Sequence, residues 1–231
     1  NTLHWWDDDD FRPLFRQCGQ YIHAHGLRVS MHPGQYTVLN STNADVVERA
    51  IAEIVATSRV LDSLGVDASH KIVIHGGAGS PDHATALARF ADNWPVIPVA
   101  ARQRLVLEND ERIFPVAELL PLCHRLQIPL VFDWLHHQAN PGVWQQRTAA
   151  EILPEVFQTW HTPDGLPKVH YSSQAPGKRL GAHAYDLDPD DFRDFARAIG
   201  TQPVDVMAEC KGKDLAVRAL RNALGLDDTA R

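Results

Sequence analysis

The feature that most constrains this chain is a recurrence. Short β-branched or apolar runs return along it, each closing on a residue able to bind a metal: Leu27 to His32, Lys71 to His75, Arg104 to Glu108, Pro129 to Asp133, Lys168 to His170 and Val204 to Glu209. The segments between them have helical periodicity. In Ala44 to Leu64, Val47, Ala50, Ile51, Ile54, Val55 and Ser58 form one 3.6-residue stripe, with a start signal at Asn43 and a stop at Gly65. Val116 to Leu126 reads the same way, and Asp188 to Ile199 opens on Asp-Pro and stops at Gly200. Strand and helix in alternation mean right-handed βα units on a parallel sheet.

Two parallel architectures compete. A doubly wound sheet carries a glycine-rich phosphate turn after its first strand. The nearest candidate, His75-Gly76-Gly77-Ala78-Gly79, lacks the G-x-G-x-x-G spacing. In a TIM-type (β/α)8 barrel, by contrast, active residues gather from the C-terminal ends of several strands at one mouth. Six strands ending in His, Glu or Asp fit that plan, so the expected fold is an α/β TIM barrel spanning 1–231 as a single domain. Six is two short of eight, and Phe11 to His25 already reads as a helix. The expectation is therefore an incomplete barrel, lacking about two N-terminal βα units, roughly 60 residues. It would leave an open strand edge prone to pairing.

Composition narrows the class. The chain has 231 residues, 44% hydrophobic and 22% charged, enough for a real core. The net charge of -7 excludes a basic coat for nucleic acid but not a local site. No apolar stretch approaches the roughly 20 residues of a membrane span, and the aromatic, acidic segment Asn1 to Asp10 has no signal-peptide layout. Cys18, Cys123 and Cys210 are odd in number and widely spaced, which suits reduced thiols in a cytoplasmic protein, with Cys18 and Cys123 at helix core positions.

The chemistry lies in the strand ends. One imidazole hydrogen-bonded at a barrel rim needs no metal. His32, His75, His136 and His170 together with Glu108, Asp133 and Glu209 are too many for separate explanations of that kind. Imidazole plus carboxylate without thiolate suits Zn, Mn, Fe or Co. Several shared carboxylates suggest more than one metal, the arrangement used to hydrolyse phosphodiesters.

These residues also sit in strings that resemble a known family. Met31-His32-Pro33-Gly34-Gln35-Tyr36, Leu107-Glu108-Asn109-Asp110-Glu111, Asp133-Trp134-Leu135-His136-His137, Lys168-Val169-His170-Tyr171-Ser172-Ser173-Gln174, Gly181-Ala182-His183-Ala184 and Asp205 to Lys213 are similar, in the same order from about Asp7 to Asp214, to motifs of the UV damage endonucleases. Those are (β/α)8 enzymes similar in architecture to endonuclease IV. The resemblance implies a phosphodiester hydrolase that nicks DNA on the 5′ side of UV photoproducts with up to three divalent metal ions. Mn2+ is the family's usual choice, with Zn2+, Co2+ and Mg2+ as alternatives. Carried over, one metal would lie near His32, His75 and Glu108. A second would take Glu108, Asp133, His170 and Glu209, and a third His136 and His183, close to Lys168. Glu108, Lys168 and Glu209 would be the catalytic residues. In the family the lysine corresponding to Lys168 is thought to be carboxylated on its amine. The alternative is a phosphate-contacting cation. Lys168 and His170 are two apart on a strand and face the same side.

The resemblance also implies that Gln35 and Tyr36 wedge into the duplex when the damaged dinucleotide flips out. Flipping costs a few kcal/mol of stacking that a planar side chain partly replaces. Ser172, Ser173, Gln174, Lys178, Arg179, Lys211 and Lys213 lie beside the metal motifs as phosphate contacts, or as solvated loop faces. The implied partner is double-stranded DNA carrying UV lesions, with no membrane and no obligate protein partner. His4, His23, His25, His70, His83, His124 and His161 read as surface or capping residues, and His137 as a supporting neighbour of His136. The run Asp7 to Asp10 reads as a helix N-terminal cap. A xylose isomerase-like sugar isomerase or epimerase, an abasic-site endonuclease and a barrel that only binds damaged DNA are the rivals. The isomerase needs neither Gln35-Tyr36 nor the Lys168-x-His170 pair.

Overall fold

The computed structural model describes residues 8–226; His4 and Asp7 fall outside them. Five short strands, β1 (Ile72–His75), β2 (Leu105–Glu108), β3 (Leu130–Asp133), β4 (Lys168–Tyr171) and β5 (Asp205–Ala208), join one sheet in chain order. Pairing is parallel from β3 to β4 and from β4 to β5. A doubly wound sheet reverses its strand order at a switch point, whereas sequential neighbours are the order of a β/α barrel. The helices are α1 (Arg12–Ala24), α2 (Ala44–Ser63), α3 (His83–Asn93), α4 (Val99–Arg102), α5 (Val116–Leu126), α6 (Trp134–Ala139), α7 (Ala149–Phe157), α8 (Pro189–Ile199) and α9 (Lys213–Ala223).

The expected first strand is the main departure. Within that run Met31 alone forms a bridge, parallel to Ile72. Met31 N–H donates to Lys71 O and Met31 O accepts from Val73 N–H, both at 2.9 Å. Val29 N–H instead donates to His70 Nδ1 at 3.1 Å, and Arg28 Nε donates to Ser69 O at 2.8 Å. Side chains thus take bonds a ladder would use, and the run from Leu27 to His32 stays irregular. The same contact corrects His70, which is buried rather than on the surface.

The helix boundaries follow their signals. Asn43 accepts from Asp45 N–H at 2.9 Å to start α2, and Asp188 accepts from Asp190 and Asp191 N–H to start α8. The α1 start differs: its N-cap is Phe11, with no side-chain cap, because Asp8 turns its carboxylate onto Asp10 N–H at 2.8 Å. Cys123 is buried in α5 as expected, while Cys18 is exposed on α1.

The described residues divide into two compact units, 8–107 with 161–165, and 108–160 with 166–226. In the first, α2 buries Val47, Ala50, Ile54, Val60 and Leu61, and β1 buries Ile72, Val73 and Ile74. Full burial of such a side chain is worth about 1.5–3 kcal/mol. Lys71, just before β1, is also fully buried. It forms a 2.5 Å ion pair with Asp164 and donates to Gln103 O at 2.8 Å.

In the second unit β3 is wholly buried, and its start is fixed by Thr159 Oγ1 accepting from Leu130 N–H and Trp160 Nε1 donating to Leu130 O, both at 2.8 Å. Helix α8 is fastened over β4 by aromatic and polar contacts. Tyr171 packs on Phe192 and Phe195 with ring centroids 4.9 Å apart in each case, and its hydroxyl donates to Asp191 Oδ2 at 3.0 Å. Trp134 Nε1 reaches the same carboxylate at 3.1 Å. Strand β5, last in the sheet order, is more exposed than the others.

Candidate metal centre

Strand ends deliver the donors, as the recurrence implies. In the second unit Glu108 closes β2, Asp133 closes β3, His170 is the penultimate residue of β4, and Glu209 follows β5 directly. One ligand atom from each of these four lies within 4.8 Å of all the others. His170 Nδ1 is 2.7 Å from Glu108 Oε1 and 3.3 Å from Glu209 Oε1. Three carboxylates thus meet one imidazole in a pocket where Glu108, Asp133 and His170 are essentially inaccessible to solvent.

The electrostatics record what that costs. Complete burial pushes the Asp133 carboxyl up to about 7, with His136 opposing and Glu108 reinforcing the rise. Burial disfavours the charged form of His170, but Glu108, Glu209 and Asp133 overcome it and lift its pKa to about 9. Asp133 Oδ1 accepts from His136 N–H at 2.6 Å, while Asp133 Oδ2 is buried with no hydrogen-bond partner. An unpartnered buried carboxylate oxygen is expensive. A divalent cation fits this set: it would satisfy that oxygen and supply the charge that protons otherwise provide.

His136 and His183 form a second grouping, with ring centroids 5.7 Å apart. His136 Nδ1 lies 3.0 Å from Asn109 O, so Nε2, 3.9 Å from Glu111 Oε2, is the nitrogen that could coordinate an ion. His183 Nδ1 is 3.8 Å from Glu209 Oε2, and burial lowers its pKa. His136 moves the other way, burial being outweighed by Asp133 and Glu108. His137, by contrast, packs on Phe132 with ring centroids 5.0 Å apart. In the first unit His32 and His75 stand together, ring centroids 5.2 Å apart. The loop after His75 is held by Asn40, which accepts from Ala78 N–H at 2.8 Å and donates to Ala78 O at 2.7 Å. Gly77, at φ +88, leaves the room: an added Cβ would lie 2.2 Å from Asn40 Oδ1.

Sequence reasoning passed over Asn109. It is buried between β2 and β3, accepts from Asp133 N–H at 2.9 Å and donates to Asp133 O at 3.2 Å, so it sets the backbone that carries Asp133 and His136. Its position directly after Glu108 was the available signal. Asp110 was missed too: its carboxylate accepts from the backbone N–H groups of Arg112, Ile113 and Phe114, folding the loop that carries Glu111.

The remaining expected residues divide by environment. Gln35 and Tyr36 sit on a turn closed by Thr37 N–H to Gly34 O at 3.0 Å, and Tyr36 is 84% exposed. Lys178, Arg179, Lys211 and Lys213 are exposed. Arg179 Nη1 pairs with Glu111 Oε1 at 2.8 Å, and that pairing with burial's opposing effect leaves the Glu111 carboxyl lowered. Lys168 is buried at the start of β4, in register with Asp205. Ser173 is buried, its Oγ accepting from Asp188 N–H at 2.9 Å and lying 3.2 Å from the Tyr171 hydroxyl. Gln174 is spent on its own loop, donating to Ala175 O and Arg179 O and accepting from Gly181 N–H.

Fold and donor set define a TIM-barrel-type α/β protein with a carboxylate-imidazole centre at its strand ends. The family model for UV-endonuclease UvdE matches residues 4–229, and the chain belongs to that family. A UV DNA damage endonuclease of Bacillus cereus (strain Q1) is 38% identical over 210 residues, which is 90% of this chain and 65% of that protein. The chain thus spans a little under two thirds of the length of the curated relatives it matches. The crystal structure of SacUVDE aligns with a TM-score of 0.87 at 33% identity, over 98% of this chain and 74% of the other. Endonuclease IV from Thermus thermophilus, at 19% identity and a TM-score of 0.62 over 95% of this chain and 83% of the other, shares the fold.

Proposed function

We propose that this chain carries the catalytic centre of a DNA repair endonuclease, one that nicks the backbone 5′ to UV photoproducts after the damaged dinucleotide is flipped out. The observation that carries this reading is the set of buried Glu108, Asp133 and His170 with part-exposed Glu209, and its unpartnered Asp133 oxygen. Family membership supplies the substrate class.

Those four residues would hold one divalent ion. His136 and His183 would hold another, and the His32-His75 pair a third, with Glu108 the shared carboxylate that the resemblance implies. When bound, such ions supply Lewis acidity and charge stabilisation for phosphodiester hydrolysis, and Mn2+ is the proposed species. The protein's own part is positional. Asn109 and Asp110 fix the β2 loop, and Asp133 and Asn109 orient His136. Lys168, carboxylated, would add an anionic oxygen where a free ammonium would repel the cations. Tyr36 and Gln35, at the exposed tip of their turn, would fill the gap left in the duplex. Lys178, Arg179, Lys211 and Lys213 would neutralise phosphates, local cations on a chain whose net charge is -7. The three free thiols suit a reducing, cytoplasmic setting.

The test is nicking of UV-irradiated supercoiled plasmid with Mn2+, beside depurinated and untreated plasmid. Cleavage confined to irradiated DNA, abolished by chelator, is the expected result. Cleavage of depurinated plasmid alone would assign an abasic-site enzyme, and binding without cleavage a recognition module.

A further inference from the structure

Three small or amide side chains, Ser172, Ser173 and Gln174, follow Tyr171 at the end of β4, and two of them are committed elsewhere. Ser173 Oγ is held by Asp188 N–H and Tyr171, and Gln174 by its own loop. Ser172 is different. It is 0% exposed, and its Oγ is buried without a hydrogen-bond partner. The contact between the Tyr171 hydroxyl and Ser173 Oγ places those two side chains on the α8 side of the chain. Alternation, continued one residue past β4, points Ser172 away from α8 and toward the side of His170. The strand end is fixed there by Glu209 N–H donating to Tyr171 O at 2.8 Å. Ser172, the residue directly after β4, therefore stands two places beyond His170, beside the strand end to which Glu209 is hydrogen-bonded.

We infer that Ser172 is a positioning residue for the cation held by Glu108, Asp133, His170 and Glu209, its hydroxyl donating to an oxygen in that cation's immediate surroundings. This rests on the metal reading above. A buried hydroxyl with no partner among the protein's own groups is a cost, and a cost of that kind persists where a bound group repays it. Hydrogen bonds that orient the ligands of a metal commonly change its affinity by 10–100-fold. Ser172 is 0% exposed and thus too buried to meet DNA, against its expected place among the phosphate contacts.

The test has two readouts that move in opposite directions. Mn2+ affinity is measured by calorimetry, and thermal unfolding is followed in chelator, for the full chain and for Ser172→Ala and Ser172→Thr. The expected result is about tenfold weaker Mn2+ binding in Ser172→Ala, most of the loss recovered in Ser172→Thr, and an unchanged or higher melting temperature for metal-free Ser172→Ala. Equal Mn2+ affinity in the parent and Ser172→Ala would overturn the role of Ser172 alone. A metal-free melting temperature that falls in Ser172→Ala would also overturn it, by making the hydroxyl a structural group. Absence of Mn2+ binding in the parent chain would overturn the metal reading and this inference with it.

Discussion

His170 Nδ1 and Glu108 Oε1 stand 2.7 Å apart in a pocket closed to solvent, which makes one imidazole the internal counter-charge for three carboxylates. In the metal-free protein that role requires a proton, and the proton gives the centre its pH dependence.

Metal-free stability should fall as pH rises. The folded pKa of His170, raised from 6.5 to about 9, contributes stability that is fully present below 6.5 and lost as pH climbs through about 9. Asp133, raised from 3.8 to about 7, acts in the same direction at lower pH, because between those values the unfolded chain ionises it freely and the buried site does not. Mn2+ needs the deprotonated ligands, so its stabilisation should grow with pH. Thermal melts from pH 5 to 9, in chelator and in Mn2+, should diverge as pH rises; parallel curves would count against the centre.

Asp133→Asn should weaken Mn2+ binding and reduce nicking at least a hundredfold while leaving the metal-free fold intact. The amide keeps the carbonyl oxygen that caps His136 N–H but removes the buried charge. Calorimetry and plasmid nicking on the same preparation check both halves.

Tyr36→Ala should lower affinity for irradiated duplex about tenfold, as expected for about 1–3 kcal/mol of base stacking, and change affinity for intact duplex much less. An 84% exposed ring contributes little to the fold, so stability should move by less than about 0.5 kcal/mol. Equal losses on both DNAs would remove the wedge.

Gly181 adopts φ +78, and a Cβ there would lie 2.5 Å from Glu111 Cγ. Gly181→Ala should therefore cost about 1–3 kcal/mol and disturb the Arg179-Glu111 pair. Urea unfolding checks the stability, and the salt dependence of DNA binding checks the loop.

Lys71 and Asp164 pair where the lysine side chain is fully buried, and burial already lowers the Lys71 pKa. Lys71→Ala should cost about 3–5 kcal/mol by leaving buried groups unpaired. The doubly apolar replacement Lys71→Met with Asp164→Leu should recover most of that loss in chemical denaturation.

Much of this was legible because barrel chemistry is periodic in sequence. The runs that close on His75, Glu108 and Asp133 or pass through His170 announced the sheet and the gathering of donors at its strand ends, and Asn43, Asp188 and Gly200 marked helix ends by rules local to a few residues. What was not legible depended on partners distant in sequence. Leu27 to His32 has a strand's composition but gives its backbone bonds to His70 and Lys71. Asp8 to Asp10 has the charge of a cap, yet Asp8 closes a turn before α1. Ser172 and Ser173 are adjacent and chemically identical, and only the contacts with Tyr171 and Asp188 tell which of them is spent on α8.

The most direct test is anomalous diffraction at the manganese edge from crystals of this chain grown with Mn2+. A peak within about 2.5 Å of Asp133 Oδ2, shared with Glu108, His170 and Glu209, is the predicted result. An ordered site with no anomalous density there, Asp133 Oδ2 instead bonded to a protein group, would contradict it.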